Sequence, residues 1–224
     1  MGLPQISHHL TISLRRIARR LLPRCNTLEK SVTTILSSCR DDFLAIILFT
    51  VLTIVMTWPL AVHMSDSVVG WVGDNFYFVW LVGWFQKSLF VLHQLPLSVP
   101  LLNYPEGWNI AYNEMTPAMV LIALPASLVG GPTLGYNFSI LLSFILSGFG
   151  VCLWVRRATG DTLAGIVAGA IFAFAPYRMS HLLGHLNLMG TQWFAFYFMS
   201  LSDMLKNHSR SWRAVWLTSP LTAL

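Results

Sequence analysis

Charge is what this sequence has least of. Acidic and basic residues make up 10% of its 224 positions, with nine Asp and Glu beside fourteen Lys and Arg, against about 25% in an ordinary soluble domain. So few charges cannot clothe a globular surface in water, which excludes a soluble enzyme of this length and a nucleic-acid module. A hydrophobic content of 55% excludes a disordered chain. Cysteine is nearly absent: Cys25, Cys39 and Cys152 show no short paired spacing and no His at zinc-finger distances, so they read as free thiols. A glycine-rich phosphate loop, a nucleophile elbow, an internal repeat and a low-complexity segment are all missing. No apolar core follows the first basic residues either, because Arg15, Arg16, Arg19, Arg20 and Arg24 interrupt it, and that argues against a secretory signal.

Residues 1–42 therefore read as a retained basic tail. Leu10, Leu14, Ile17 and Leu21 recur at helical spacing beside the arginines. The tail is either a short helix on anionic lipid or a solvated segment, with a transit peptide as the third reading.

Apolar and aromatic residues abound, with nine Trp, fourteen Phe and a mean hydropathy of +0.61. A spanning helix needs about 20 largely apolar residues, and Phe43–Val62, Leu134–Val155, Thr162–Pro176 and Thr191–Leu205 meet or approach that length. A fifth run begins near Ala214 and stops at Leu224, as in the front part of a longer protein. Asn75–His93 and Pro117–Val129 either both cross or both lie at the interface. Only then do the tail, Arg156–Arg157 and the Lys206, Arg210, Arg213 cluster share the cytoplasmic side. Leu95–Met115 lacks Lys and Arg, and Pro117–Val129 is short and carries Pro125, which favours the interfacial reading. The expected fold is all-α: a polytopic transmembrane bundle over 43–224, with a large outer loop, 63–133, carrying juxtamembrane helices. The lipid bilayer is its surrounding partner, and no nucleic-acid partner is expected. The loop's Trp71, Phe76, Tyr77, Phe78, Trp80, Trp84, Phe85 and Phe90 suit headgroup depth. Ser139, Ser143 and Ser147, and Gly165 with Gly169, sit at the four-residue spacing of close helix packing.

Candidate chemistry lies in two places. Asp66, Asp74, Glu106 and Glu114 all fall in the outer loop, and Asp74 opens the aromatic helix after Gly73. It reads either as a cap for that helix, a role Asn75 can also fill, or as a general base. The second place is the turn PYRMSHLLGHLN, with Arg178, His181, His185 and Asn187. His181 and His185 stand at i and i+4, a metal-ligand spacing, but a third ligand is wanting. Arg and His together suit a phosphate, and interfacial packing is the plain alternative. Two-carboxylate glycoside hydrolysis by Asp74 and Glu114 is conceivable.

The order of these features resembles the GT-C superfamily of integral-membrane glycosyltransferases, which includes aminoarabinose transferases, protein O-mannosyltransferases and oligosaccharyltransferases. The residues that carry the resemblance are Gly73-Asp74 with Tyr77 after a first crossing, Glu114 to Pro117 opening a juxtamembrane helix, VRRATG at 155–160, and AGIVAGAIFAFAPYR at 164–178. Uncharacterised bacterial membrane proteins look closer still. The resemblance implies a bacterial inner-membrane protein with a cytoplasmic N-terminus, using a polyprenyl-phosphate-linked sugar as donor and inverting at the sugar carbon. Asp74 would be the base, and Tyr77, Glu114, Arg178, His181, His185 and Asn187 would bind substrate. Asn187 stands where many members have an acid, and Met115 where a Lys often follows the Glu, so no cofactor is expected and a divalent metal is not supported. The alternatives are a lipid or sugar transporter and a non-catalytic or truncated membrane protein.

Overall fold

A computed structural model describes residues 39–70 and 72–206. The basic tail up to residue 38, Trp71, and the apolar run near Ala214 with Arg210 and Arg213 lie outside the described residues. The chain divides into Met1–Leu44 and a body from Ala45 onward. Of the first unit, residues 39–44 are helical, with Arg40 and Asp41 paired at 3.4 Å.

The protein is mostly helical. Helix α1 covers 39–56, and a 3-10 turn, Leu60–Val62, follows. Next come α2 (Asp74–Phe90), the two-residue strands β1 (Ser98–Val99) and β2 (Trp108–Asn109), α3 (Pro117–Thr159), α4 (Thr162–Ala173), α5 (Pro176–His181), α6 (Leu186–Met189) and α7 (Gln192–Lys206). The strands pair antiparallel, Ser98 opposite Asn109 and Val99 opposite Trp108. Among the described residues, two helical stretches, Pro117–Thr159 and Thr162–His181, are long and apolar enough to cross a membrane.

Helix α3 is two helices in one run. Pro125 leaves its first arm, 117–129, unbroken. The break comes at Gly130 and Gly131, and Gly131, at φ +87° and ψ 172°, occupies a region open essentially to glycine alone. The arms then double back on one another: a Cβ at Gly135 would lie 2.7 Å from both the Ala123 carbonyl oxygen and Ser127 Cβ. Only a residue without a side chain admits that approach. The long arm, 132–159, stops at Gly160, which takes φ +78°. Asp161 then caps α4, accepting from the Leu163 N–H at 2.8 Å and the Ala164 N–H at 3.4 Å. This adjacent stop and start set α4 against α3, and the small-residue spacing shows why they fit. A Cβ at Gly165 would lie 2.6 Å from the Cys152 carbonyl, and one at Gly169 would run into the Gly148 carbonyl and the Phe49 ring.

The segment expected as an outer loop is packed. Phe78, Leu81, Val82, Trp84 and Phe85 of α2 join Val99, Ile110, Val120, Tyr136, Ile140 and Phe144 in one buried cluster. Several aromatics expected at headgroup depth are therefore core: Phe78 is 1% exposed, whereas Phe76 is 53% exposed. The hairpin contributes as well, with the Trp84 indole N–H donating to the Pro96 carbonyl at 2.9 Å.

Candidate active site

The N-terminus of α2 decides the status of Asp74. Gly73 stands at the cap position, and Asp74 makes no capping bond. Asn75 does that work, its Oδ1 accepting from the Gly73 and Phe76 N–H groups at 3.2 and 3.0 Å while its Nδ2 donates to the Val69 carbonyl at 3.1 Å. Of the two caps open to the sequence, the structure uses the amide, which leaves the carboxylate uncommitted. Asp74 has 69% of its side chain exposed and faces His185, Nε2 to Oδ2, at 3.9 Å.

From that pair a closed circuit of contacts can be followed. The His185 ring meets the His181 ring edge to face at 4.9 Å, and His181 meets Tyr177 likewise at 4.3 Å. Tyr177 and Asn187 both line a cavity of about 290 Å³. Asn187 Nδ2 donates to the Glu114 carboxylate at 3.0 Å, and the Tyr77 hydroxyl donates to the Glu114 carbonyl at 3.4 Å. Tyr77 lies one turn beyond Asp74 on α2, which closes the loop. Burial, and secondarily the Glu114 charge, push the Tyr77 phenol above its usual range, so it remains a donor. Six of the seven site residues expected from the sequence, Asp74, Tyr77, Glu114, His181, His185 and Asn187, thus lie along linked contacts, and of these Asn187 lines the cavity itself.

Arg178 departs from expectation. It is 2% exposed, so it is not held out toward the loop as a phosphate ligand. Its guanidinium donates to the Ser143 hydroxyl at 2.8 Å and to the Met189 and Ala173 carbonyls at 3.3 Å, and lies 4.4 Å above the Phe144 ring. The reason is the serine stripe of α3. Ser143 also reaches the Met189 carbonyl and Gln192, and Ser147 bonds Thr191 at 3.0 Å. This side of the long arm offers oxygen atoms where an apolar helix would offer none, and a buried cation settles on them.

Two residues that the sequence did not single out, Thr116 and Trp193, line the cavity beside Tyr177 and Asn187. A larger apolar groove of about 560 Å³ adjoins it, lined by Trp154, Phe172 and Phe198 and sharing Tyr177, Thr191 and Phe194 with the cavity wall. Among the described residues no group of three or more His, Cys, Asp or Glu could hold a metal ion.

A family model described as "Domain of unknown function (DUF6311)" matches residues 43–224. No curated protein and no solved structure matches the chain.

Proposed function

We propose that this chain, which belongs to the DUF6311 family, is a multi-pass membrane glycosyltransferase. It moves a sugar from a polyprenyl-phosphate donor to an acceptor hydroxyl at the outer face, with Asp74 as general base. In this reading α1, the long arm of α3, α4 with α5, and α7 cross the bilayer, while α2 and the first arm of α3 lie outside it. The supporting observation is an uncapped carboxylate linked through His185, His181 and Tyr177 to a cavity that shares a wall with an apolar groove. A lipid-borne sugar needs that combination, a chamber with a few polar groups for the ring and a greasy channel for its carrier.

Asp74 takes the acceptor's hydroxyl proton as the acceptor oxygen bonds to the anomeric carbon. The bond from that carbon to the phosphate oxygen breaks, and the lipid phosphate departs with the electron pair. Attack opposite the leaving group inverts the centre. His181 and His185, between Asp74 and Tyr177 of the cavity wall, are the groups available to hydrogen-bond the phosphate as charge develops. Arg178, whose two terminal nitrogens are engaged elsewhere, supports the turn that carries them.

Reconstituted chain and a polyprenyl-phosphate sugar test the reading directly. Asp74→Asn lowers transfer by about 10²- to 10⁴-fold, and undiminished transfer removes the assignment. One observation favours a second reading, transport: Arg178 is a buried cation within an apolar stretch long enough to span, and intramembrane charges often mark pathways. Sugar flux across sealed vesicles without any transfer product would select that alternative.

A further inference from the structure

Helix α2, the hairpin and the start of the long arm of α3 border a further groove of about 370 Å³. It shares no residue with the 290 Å³ cavity or with the apolar groove beside that cavity, and the transfer reading makes no use of it. Trp80 and Trp84 form part of its wall, their rings within 7° of parallel and 6.4 Å apart. Trp84 is fixed by its bond to the Pro96 carbonyl at 2.9 Å. Leu101, Leu102 and Pro132 supply aliphatic surface. Gly83 lets the helices close up, since a Cβ there would lie 3.1 Å from Pro132 Cγ. Both contacts shape the groove before any ligand arrives.

One charged residue lines this groove, Lys87. In the sequence it is the only Asp, Glu, Lys or Arg between Asp74 and Glu106, and the only Lys or Arg between Arg40 and Arg156. Its side chain is exposed, and among the described residues no carboxylate pairs with it. A cation suits the last turn of α2 because of the helix dipole, but the dipole gives no reason for aromatic and aliphatic walls beside it. Those walls do not suit water either: Leu101 is 75% exposed, and Val91 and Leu95, which follow α2, are 66% and 73% exposed. One cation, no anion and a greasy lining describe a receptor for an anionic amphiphile. A lysine stem lies along apolar surface while its ammonium reaches a polar headgroup. A choline or ethanolamine head would bring a second cation, which no acidic side chain of the lining would meet. A headgroup of net negative charge is the better match.

We infer that this groove binds an anionic phospholipid, with the Lys87 ammonium on the headgroup phosphate and an acyl chain against Trp80, Leu101, Leu102 and Pro132. The stretches apolar enough to span would set it within reach of phospholipid, the bulk amphiphile of a bilayer. A second copy of the chain is a poorer occupant. A two-fold contact through this patch meets itself, bringing Lys87 toward Lys87 with no acid between Asp74 and Glu106 to offset it. Which leaflet provides the lipid follows from the topology proposed above; the binding does not rest on the transfer chemistry.

The test is photolabelling of the full chain in phosphatidylcholine nanodiscs that carry a small share of phosphatidylglycerol with a diazirine in its acyl chain, the adducts being mapped by mass spectrometry. Adducts fall within residues 79–102. The same diazirine chain on phosphatidylcholine labels that segment about fivefold less, the effect of one lysine beside a charged headgroup. Lys87→Gln brings the phosphatidylglycerol signal down to the phosphatidylcholine level, and Lys87→Arg keeps it. Leu101→Asn, at another exposed position, lowers labelling by both lipids. Equal labelling by the two headgroups in the parent overturns the inference, as does a Lys87→Gln chain that labels like the parent. A diazirine fatty acid that labels 79–102 as strongly as phosphatidylglycerol overturns the choice of phospholipid. Absence of adducts from 79–102 overturns the inference whatever else is found, and a disulfide-linked dimer of Leu101→Cys would then name a second copy as the occupant. Sugar transfer enters none of these readouts, so the transferase reading and this one fail separately.

Discussion

Asp74 and Arg178 invite comparison, because the sequence offers them as opposite charges of one site and the fold treats them in opposite ways. Arg178 is 2% exposed, and its two terminal nitrogens are spent on one hydroxyl and two carbonyls, with Nε alone left unpartnered. Asp74 keeps 69% of its side chain in the open and has given its helix cap to the neighbouring Asn75. A charge that organises structure is surrounded by fixed partners, while a charge kept for chemistry is left short of them. The two regions should therefore respond differently to substitution, the interior losing stability and the rim losing activity alone.

The largest expected effect is at Arg178. Arg178→Met takes one donor from the Ser143 hydroxyl and from the Ala173 and Met189 carbonyls, the last of which keeps its bonds from Ser143 and the Thr191 N–H, and should cost about 2 kcal/mol, since an orphaned buried group costs about 1–3 kcal/mol. The loss is readable as a lowered midpoint in thermal or denaturant unfolding of the purified chain. A midpoint equal to the parent's would erase the contrast with Asp74. Ser143→Ala comes next: it removes one shared partner of Arg178 and Gln192 and should cost about 1 kcal/mol, with Ser143→Thr as a partial rescue if the extra methyl is accommodated. On the rim, Asp74→Asn and Glu114→Gln should each shift stability by less than about 0.5 kcal/mol. A larger shift at Asp74 in an unfolding titration would mean that the carboxylate is structural after all.

The smallest effect belongs to Asp66, whose hydrogen bond from His63 Nδ1 at 3.2 Å holds its carboxyl below the usual range. A depressed folded-state value stabilises above the ordinary carboxylate range, and that stability fades as pH falls through the folded value. The unfolding midpoints of the parent and Asp66→Asn should therefore differ slightly near neutrality and converge in acid.

How far the fold was legible follows from the kind of signal each element left. The apolar runs that became the body of α1, the long arm of α3, α4 and α7 announced themselves by length, and Gly160 followed by Asp161 spelled out a stop and a start. The short helix at 117–129 was visible as a run too brief to span, though its end was written in Gly130-Gly131 rather than in Pro125. Contacts from distant residues were not visible. Arg178 beside an outer turn reads as a surface cation, because nothing local says that Ser143 and the Met189 carbonyl will arrive beside it. Thr116 precedes a proline, which ordinarily favours extended backbone, so its left-handed turn contradicts the local expectation. Trp193 follows a Gln in a helix rich in aromatics and gives no local sign that its indole nitrogen ends without a partner. The turn residues His181, His185 and Asn187 could be proposed from their types, but only folding shows that they meet Asp74 and Glu114.

The doubled-back α3 also serves as a ruler. Met119, early in the short arm, and Ser143, partway down the long one, both touch Gln192, so the mouth of the cavity stands level with the middle of the long arm and not with its glycine end. Pro132 to Thr159 runs about 40 Å at 1.5 Å per residue, about 10 Å more than the roughly 30 Å of a bilayer's hydrocarbon. A bilayer crossed by this arm would therefore leave about seven of its residues standing proud of the oil.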